Sequence, residues 1–321
     1  MQRNRFMALL AASLLLALGA PARSDTWPSR PITMVIPFPP GGTLDVVGRL
    51  LAQKVGQQLG QTVIVENRAG GAGIIGANVV AQAPADGYTL LFSASTFTTT
   101  PMTQKVVQFD VWKDFAPIAL VAKAPLAIAV NKNLPFNDVK GLLEYGRAHP
   151  GKLSFAIGST GSAGHLATEL LLRPQNVEHL IVPYKGSSPA YEDLIGGRID
   201  AFIDPVLGSA SFAKSGQLKV LAVTSKTRVP DQPKVPTVAE TVPGYEFYSW
   251  YGLWGPAHLP PAIATRLNAE VDKALAGDMR PTLTQQGLLL TPGSIDDFVR
   301  FQKDDMARSQ RIIDEAHIHV D

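Results

Sequence analysis

The segment from Ile32 to Leu59 constrains the fold of this chain more than any other, because three kinds of local structure follow one another there without a break. Residues 32–36 form a short apolar run and predict a buried strand. The sequence PFPPGG at residues 37–42 then predicts a rigid loop, since proline fixes φ and glycine lets other groups approach the backbone closely. A helix is predicted next, because apolar residues recur every four positions at Val47, Leu51, Val55 and Leu59.

A helix that starts directly after such a loop is suited to binding an anion. Its first amide groups have no acceptor within the helix, and the helix dipole favours negative charge at this end. We therefore expect the loop to form one half of an anion-binding site, with the other half supplied by a later part of the chain. The candidate ligand-binding residues of this half are Phe38, Pro40, Gly41, Gly42 and Thr43.

The first 22 residues have the pattern of a secretory signal peptide. Arg3 and Arg5 precede an apolar stretch that ends in the small-residue sequence Ala-Pro-Ala at residues 20–22. Cleavage after Ala22 and cleavage after Ser24 both fit this pattern. The apolar stretch is too short to span a membrane, so we expect an exported, soluble protein.

Composition excludes several classes of function. The precursor has 29 basic and 27 acidic residues, and removal of residues 1–22 takes away two arginines and no acid, which leaves 27 of each. A chain without net charge gives no reason to expect a nucleic-acid partner. Because cysteine is absent from the sequence, disulfides, thiolate nucleophiles and cysteine-based zinc sites are excluded. Export without disulfides fits a bacterial periplasm.

The order of predicted elements indicates an α/β protein with two doubly wound lobes. Strands alternate with helices of about 10–15 residues, which predicts parallel sheets with helices on both faces. Residues 224–321 contain two helical segments, which we expect to pack on the first block of strands. We therefore predict lobe 1 from residues 23–124 and 224–321, and lobe 2 from residues 125–223.

Two lobes with two connections predict a hinged cleft. The chain would cross between the lobes near residues 121–126 and 222–226. In open parallel sheets, ligands bind beyond the carboxyl ends of the strands, where the loops before the helices gather. Besides the first loop, the candidate ligand-binding residues in such loops are Ser95, Thr96, Ser159, Thr160, Gly161, Ser162, His165, Lys185, Gly186 and Asp204.

The charged and aromatic candidates also have structural interpretations. Asp45 lies in the first turn of its helix. Its carboxylate either accepts hydrogen bonds from the free amide groups of the helix or serves as a counter-charge for a ligand amine. Asp204 precedes a proline and is either a turn residue or a ligand contact. Lys185 is the only basic residue of these loops and is interpreted as solvent-exposed. Trp250 and Tyr251 either pack in the core or form a wall of the cleft.

Residues 71–76 match the dinucleotide-binding pattern G-x-G-x-x-G, but the context is wrong. The pattern should follow a strand at once, and an acidic residue should end the next strand. Here residues 67–70 intervene and the next strand ends in serines. We therefore interpret these glycines as a loop and a helix-packing feature, and we expect no cofactor.

The stretch from Gly158 to His165 has two interpretations. A serine close to a histidine suggests a hydrolase with Ser159 or Ser162 as nucleophile. The spacing G-x-S-x-G is absent, however, and no acidic residue is evident that would orient His165. The other interpretation is a second helix start, at which the imidazole is neutral and forms a hydrogen bond to a ligand or to the loop. The remaining histidines show no metal-binding spacing beyond a pair at the C terminus, so we expect no metal.

Six short motifs follow one another along the mature chain. They are Pro39-Pro40-Gly41-Gly42-x-x-Asp45, Glu66-Asn67-Arg68-x-Gly70, Asp86-Gly87-Tyr88-Thr89-Leu90-Leu91, Lys113-Asp114-Phe115-Ala116-Pro117-Ile118, Pro183-Tyr184-Lys185-Gly186 and Trp250-Tyr251-Gly252. Each motif alone is weak, but their order is specific. Together they resemble the Bug family, the extracytoplasmic solute receptors of tripartite tricarboxylate transporters, also called TctC proteins.

This resemblance implies a type II periplasmic-binding-protein fold and the capture of small carboxylates. In that family two loops hold a ligand carboxylate like pincers, partly through water molecules. Those loops match residues 38–43 and 159–165 here, which are the two helix starts described above. The resemblance also implies membrane permease subunits as partners, and we expect the receptor to be a monomer.

Two stretches depart from patterns that are frequent in the family. Phe109-Asp110-Val111-Trp112 stands where Tyr-Asp-Pro is frequent, and Ile203-Asp204-Pro205 stands where Phe-Asp-Asn is frequent. Pro205 removes an amide side chain near the expected pocket, so the resemblance alone does not determine the ligand specificity. Phe97, in an unusual loop, is a candidate to narrow the pocket or to contact an aromatic ligand.

The leading hypothesis is a periplasmic receptor that closes on a carboxylate and delivers it to a membrane permease. A periplasmic sensor whose closed lobes dock on a sensor kinase, and a Ser/His hydrolase, are the alternatives. An amino acid, a di- or tricarboxylate and an aromatic acid all remain possible ligands.

Overall fold

The structure is a computed structural model that describes residues 27–319. The predicted signal peptide and both of its cleavage sites lie outside this range. The strands of the described part are β1 (Ile32–Ile36), β2 (Val63–Asn67), β3 (Thr89–Ala94), β4 (Phe115–Asn131), β5 (Leu153–Ile157), β6 (His179–Pro183), β7 (Ala201–Pro205), β8 (Leu218–Val223), β9 (Tyr248–Pro256) and β10 (Leu289–Leu290). The α-helices are α1 (Thr43–Leu59), α2 (Ile74–Ala81), α3 (Thr96–Thr103), α4 (Val139–Ala148), α5 (Ala163–Leu172), α6 (Ser187–Ile195), α7 (Val206–Lys214), α8 (Pro261–Ala276), α9 (Met279–Gln285) and α10 (Ile295–Ala316).

The strands form a mixed sheet with two halves, which the long strand β4 joins. The first part of β4 pairs antiparallel with β9 and β10, and β9 leads through β3 and β1 to the edge strand β2. The second part of β4 pairs antiparallel with β7 and β8, and β7 leads through β5 to β6. The sheet is therefore not purely parallel as the sequence predicts, because β4 and β9 run against their neighbours.

Each half of the sheet has its own apolar core. The predicted stripe of α1 lies in the first core, where Val47, Leu51 and Val55 are buried against β1 and against α8. Helices α4 and α5 bury Leu142 and Leu166 against the second half. The two half-sheets with separate cores are the two lobes, and the predicted two-lobed α/β fold is confirmed.

Two stretches of chain connect the lobes, and Thr224 binds to both. The first connection is β4 itself, whose pairing changes from β9 to β7 between Pro125 and Leu126. The Leu126 amide donates to the Thr224 hydroxyl at 2.8 Å, and this hydroxyl donates to the Phe247 carbonyl at 2.7 Å. Phe247 directly precedes β9, so these bonds hold the two connections together.

The second connection lies further along the chain than the sequence predicts. Val238, Tyr245 and Phe247 pack in the core of the second half-sheet, and so do Ile312 and Ile313 at the end of α10. The C-terminal part of the chain therefore contacts both lobes, and does not pack on the first block alone. The predicted lobe boundaries stay a prediction, and these contacts favour extending lobe 2 to Phe247.

Helix α3 forms where the sequence predicts a hydroxyl-rich loop. Its threonine hydroxyls bond to backbone carbonyls one turn earlier, as from Thr98 to Ser95 at 2.8 Å and from Thr100 to Thr96 at 2.7 Å. This pattern satisfies the hydroxyls inside a helix of low intrinsic propensity. Phe97 of this helix packs in an aromatic cluster with Phe109, Phe115 and Trp254. The expectation that Phe97 narrows the ligand pocket is therefore wrong.

Candidate functional site

A cavity of about 90 Å³ lies between the two lobes. Loops that follow β1 and β3 form its wall from the first lobe, together with β9. Loops that follow β5, β6 and β7 form its wall from the second lobe. The position agrees with the rule that ligands bind beyond the carboxyl ends of strands in such sheets.

The start of α1 forms one wall of the cavity. Gly42 precedes the helix with an extended backbone and without a side chain that caps the helix amides. The amide groups of Thr43 and Leu44, which both line the cavity, therefore lack an intrahelical acceptor and are available to an anion. A β-carbon added at Gly42 would meet no atom within 4 Å, so this position faces open space.

Asp45 also lines the cavity, but its carboxylate is bound by groups of its own lobe. The Gly41 amide donates to it at 3.0 Å, Arg49 Nε at 2.9 Å and Asn67 Nδ2 at 2.9 Å. Burial by itself would raise the pKa of Asp45, but these hydrogen bonds outweigh burial and lower it. Asp45 therefore holds the loop in place as an ionised group whose charge Arg49 balances.

The start of α5 forms a second wall. The Ser162 hydroxyl caps the helix by accepting from the His165 amide at 3.4 Å, and the first intrahelical bond runs from the Leu166 amide to the Ser162 carbonyl. The amides of Ala163 and Gly164 precede that bond, and both residues line the cavity. Here too, amide groups at a helix start are available to a bound anion.

His165 lies behind this loop and not in the lining of the cavity. The Gly161 amide donates to its Nδ1 at 3.2 Å, which leaves the ring proton on Nε2. Burial lowers the pKa of His165 to about 4, so the imidazole is neutral at physiological pH. The neutral state agrees with the sequence interpretation, and the hydrogen bond goes to the loop.

Glu169 is the acidic residue near His165 that the sequence interpretation missed. Its Oε1 lies 3.9 Å from His165 Nε2, and the carboxylate accepts from Arg173 Nε at 2.7 Å and His179 Nε2 at 3.2 Å. Burial opposes the charge, but the bonds from His179 and Arg173 keep the pKa of Glu169 below its usual value. The spacing of four residues in one helix was the available signal.

A third helix start, that of α6, meets the other two. Gly186, Ser187 and Ser188 line the cavity, and Gly186 has a φ of +113°, which favours glycine. The helix has no side-chain cap. The Gly186 amide donates to the Gly158 carbonyl at 2.9 Å, which holds the loops after β5 and β6 together. The sequence indicated Gly186, but not the two serines or the helix start.

Asp204 is the penultimate residue of β7, lies in the wall of the cavity and is almost completely buried. Ser187 Oγ donates to its Oδ1 at 3.0 Å, and Tyr191 Oη donates to its Oδ2 at 3.1 Å. Burial raises the pKa of Asp204 to about 7, although the two hydrogen bonds act in the opposite direction. None of the groups bonded to this carboxyl is basic, so its charge is not balanced as that of Asp45 is.

Three hydroxyl groups in the cavity lining have no hydrogen-bond partner within residues 27–319. They belong to Thr43, Ser159 and Tyr251, which are all buried. Buried polar atoms are rarely left unpaired in folded proteins, so these hydroxyls indicate a polar group that binds here. Tyr251 lies on β9 and thus forms part of the cleft wall, whereas Trp250 packs in the core.

This combination of fold and site matches a known family. The model of the TctC family, described as "Tripartite tricarboxylate transporter family receptor", matches residues 47–318. The chain belongs to this family. Among its relatives, Protein BugT of Bordetella pertussis (strain Tohama I) is 37% identical over 282 residues, which cover 86% of this chain and 86% of BugT. The family resemblance found in the sequence is therefore confirmed.

Two solved structures of similar proteins contain a dicarboxylate. "R. palustris Rpa4515 with adipate" has a TM-score of 0.88 and 36% identity, and the match covers 91% of this TctC-family chain and 99% of that one. "MatC (Rpa3494) from Rhodopseudomonas palustris with bound malate" has a TM-score of 0.83 and 30% identity, and the match covers 89% of this chain and 100% of that one. These similarities extend over both lobes.

The cavity of this TctC-family protein brings together many, but not all, of the residues that the sequence singled out. Those in the lining are Phe38, Gly42, Thr43, Asp45, Thr96, Ser159, Ser162, Gly186 and Asp204. Those outside the lining are Pro40, Gly41, Ser95, Thr160, Gly161, His165 and Lys185. Their roles in ligand binding stay predictions.

No lysine or arginine lines this cavity within the described part of the TctC-family chain. Lys185 lies on a neighbouring concavity, together with Phe38 and Tyr184. In the same range, no helix is long and apolar enough to cross a membrane, and no group of three acidic, histidine or cysteine residues is placed to hold a metal ion. The cavity therefore offers a ligand amides, hydroxyls and two carboxyl groups.

Proposed function

We propose that this protein is a periplasmic solute-binding receptor that captures a small carboxylate between its lobes and delivers it to a tripartite tricarboxylate-type membrane permease. The observation that carries this proposal is that, among residues 27–319, three helix starts and three unpaired hydroxyls meet in one cavity that no basic side chain lines. Helix starts and hydroxyls supply hydrogen bonds to an anion without a counter-ion. The signal-peptide pattern of residues 1–22 supports export to the periplasm.

The energy available from such groups is sufficient for a receptor. A hydrogen bond to a charged group contributes roughly 1.5–3 kcal/mol. Amides at Thr43, Leu44, Ala163 and Gly164 can supply several such bonds, and the hydroxyls supply more. Four bonds of about 2 kcal/mol correspond to a dissociation constant near the micromolar range.

The size of the cavity agrees with a small ligand. One water molecule needs about 10–15 Å³ of such space. A cavity of about 90 Å³ therefore has room for more than one water molecule, as the capture of a small organic molecule requires. Adipate and malate, the molecules in the two similar structures, are small carboxylates, which supports a small carboxylate as the ligand.

The geometry does not favour the alternative of a Ser/His hydrolase. A nucleophilic serine needs a hydrogen bond from its hydroxyl to the imidazole of its base. Here His165 Nδ1 accepts from the Gly161 amide, and Ser162 Oγ accepts from the His165 amide. A buried imidazole with a pKa of about 4 is also a weak base. These contacts support binding without turnover.

Isothermal titration calorimetry with a panel of small mono-, di- and tricarboxylates tests the proposed function. We expect at least one of them to bind with one molecule per chain and a dissociation constant in the micromolar range or below, and to be recovered chemically unchanged. Failure of every carboxylate to bind, or conversion of the bound compound, would overturn the proposal.

Delivery to a permease is tested in cells. A strain that lacks this protein should lose uptake of the carboxylate that binds in the titrations, and reintroduced protein should restore it. Normal uptake together with a lost transcriptional response to the same carboxylate would favour the alternative role as a sensor for a kinase.

Replacement of Tyr251 by phenylalanine should change affinity with little effect on stability. The Tyr251 hydroxyl forms no hydrogen bond to a group of residues 27–319, so Tyr251→Phe should change the free energy of unfolding by less than about 1 kcal/mol. The same change should weaken carboxylate binding about tenfold, because one hydrogen bond to the ligand is lost.

Tyr245→Phe is the matched control for this pair of measurements. The Tyr245 hydroxyl donates to the Ala167 carbonyl at 2.8 Å in the core of the second lobe, outside the cavity. Its removal should lower stability by about 1 kcal/mol and leave affinity unchanged. If Tyr251→Phe and Tyr245→Phe changed the free energy of unfolding and the ligand affinity equally, the Tyr251 hydroxyl would not face the ligand.

Affinity should depend only weakly on salt. Buried dipoles and hydroxyls are screened less than surface ion pairs, so the dissociation constant should rise less than about tenfold between low and physiological ionic strength. Lys185→Ala should have little effect, because Lys185 lies outside the cavity lining. A steep salt dependence, or loss of binding in the Lys185→Ala variant, would show that a basic side chain recognises the ligand.

A further inference from the structure

The two acidic residues of the cavity lining differ in how their charge is balanced. Asp45 is bonded to Arg49 and forms an ion pair with it at 2.9 Å. Asp204 accepts only from two neutral hydroxyls, those of Ser187 and Tyr191. A ligand in the cavity thus meets one neutralised carboxylate and one buried carboxyl group without a counter-ion.

Within residues 27–319, the wall around Asp204 adds no positive charge. The residue that follows it, Pro205, lines the cavity and has no amide hydrogen to donate. The unpaired hydroxyls of Thr43 and Tyr251 are neutral. Burial, and next the Asp204 carboxylate, raise the pKa of Tyr251 well above its usual value, and the Thr43 hydroxyl acts in the opposite direction. Tyr251 and Asp204 both line the cavity.

From this geometry we propose that Asp204 determines ligand specificity, and that it selects a hydroxy- or amino-monocarboxylate over a dicarboxylate of the same length. The inference rests on the proposed function, in which one carboxylate of the ligand binds the amides at the helix starts. In a cavity this small, another part of the ligand lies close to Asp204. A hydroxyl or ammonium group there donates a hydrogen bond to Asp204, whereas a second carboxylate is repelled.

A dicarboxylate can still bind if Asp204 takes up a proton. With Asp204 protonated, its hydroxyl can donate to the second carboxylate of the ligand, so binding of a dicarboxylate should improve as the pH falls. Of the other titratable groups, Tyr191 donates to Asp204, and Tyr251 and Asp45 line the same cavity. The two tyrosines have strongly raised pKa values and Asp45 a lowered one, so none of them changes charge between pH 6 and 8.

Matched pairs of ligands test the proposal on the full mature protein. Succinate is compared with 4-hydroxybutyrate, and adipate with 6-hydroxyhexanoate, by calorimetry at pH 8 and at pH 6. At pH 8 the hydroxy acid should bind at least about tenfold more tightly than the diacid of its pair. At pH 6 this preference should shrink, because protonated Asp204 accommodates the diacid.

Asp204→Asn is the decisive variant, because asparagine has nearly the same shape and can donate a hydrogen bond at any pH. The variant should lose the preference for the hydroxy acid at pH 8 and should also lose its dependence on pH. Circular dichroism shows whether the variant is folded. Asp200→Asn is the matched control: Asp200 lies next to β7, bonds to Ser154 and does not line the cavity, so this variant should keep the preference.

The possible outcomes separate the two proposals. Tighter binding of the diacids by the wild-type protein at pH 8, or a preference that Asp204→Asn leaves unchanged, would overturn the assignment of Asp204 and leave the carboxylate receptor standing. Failure of all four compounds and of the whole carboxylate panel to bind would instead count against the proposed function itself. If the preference for the hydroxy acid disappears in Asp204→Asn and persists in Asp200→Asn, the result supports both the receptor function and the role of Asp204.

Discussion

Replacement of Gly42 by valine is expected to abolish ligand binding while the protein stays folded. The space beside Gly42 is open, so the branched side chain fits without a clash with other residues. It would occupy the region next to the free amides of Thr43 and Leu44, and a ligand carboxylate could no longer reach them. Loss of two such hydrogen bonds, each worth roughly 1.5–3 kcal/mol, should weaken binding at least about a hundredfold.

Gly293→Val is the matched control for this variant. Gly293 also lies just before a helix start, has a backbone conformation outside the left-handed region, and would place its β-carbon at ordinary contact distance from Asp297. Calorimetry should show unchanged affinity for Gly293→Val, and circular dichroism should show both variants folded. Retained affinity in a folded Gly42→Val protein would remove the start of α1 from the binding site.

Replacement of Gly164 by alanine is expected to destabilise the protein strongly. A β-carbon at this position would clash with the Ile203 carbonyl oxygen. Because α5 and β7 pack against each other through their backbones here, neither element can shift without disturbing the other. Overpacking of a core usually costs about 1–3 kcal/mol, and a contact between a side chain and a fixed carbonyl belongs at the upper end. We expect a loss of about 3 kcal/mol in the free energy of unfolding, measured by urea denaturation.

Gly158→Ala is the control for stability. Gly158 lies in the loop between β5 and α5, and the nearest atoms to an added β-carbon are 3.8 Å away. Its free energy of unfolding should stay within about 1 kcal/mol of the wild-type value. Equal stability of the two variants would show that α5 does not pack as closely on β7 as the structure indicates.

The elements that the sequence predicted well are those with a strong local pattern. The strand, loop and helix at residues 32–59 appear as predicted, because proline, glycine and a four-residue apolar repeat act within a short stretch. The helix start at Ser162 appears for the same reason. From these local features alone, the sequence indicated two walls of the cavity.

The elements that the sequence missed depend on tertiary contacts. β9 is buried almost throughout, so it lacks the alternation of apolar and polar residues that marks a strand with one exposed face. The threonine-rich α3 is stabilised by its contacts, such as the bond from the Thr99 hydroxyl to the Gly161 carbonyl at 2.7 Å. Tyr251, Ser187 and Ser188 reach the cavity only through this folding, which no local pattern reports.

A crystal structure of the protein grown with its tightest-binding carboxylate tests the central claim most directly. The account predicts that the ligand lies in the cavity between the lobes. Its carboxylate oxygens should lie within about 3 Å of amide nitrogens at the starts of α1 and α5, directly or through one water molecule. Lysine and arginine nitrogens should lie more than about 4 Å away from them. A carboxylate bound to Lys185 in the neighbouring concavity would contradict the account.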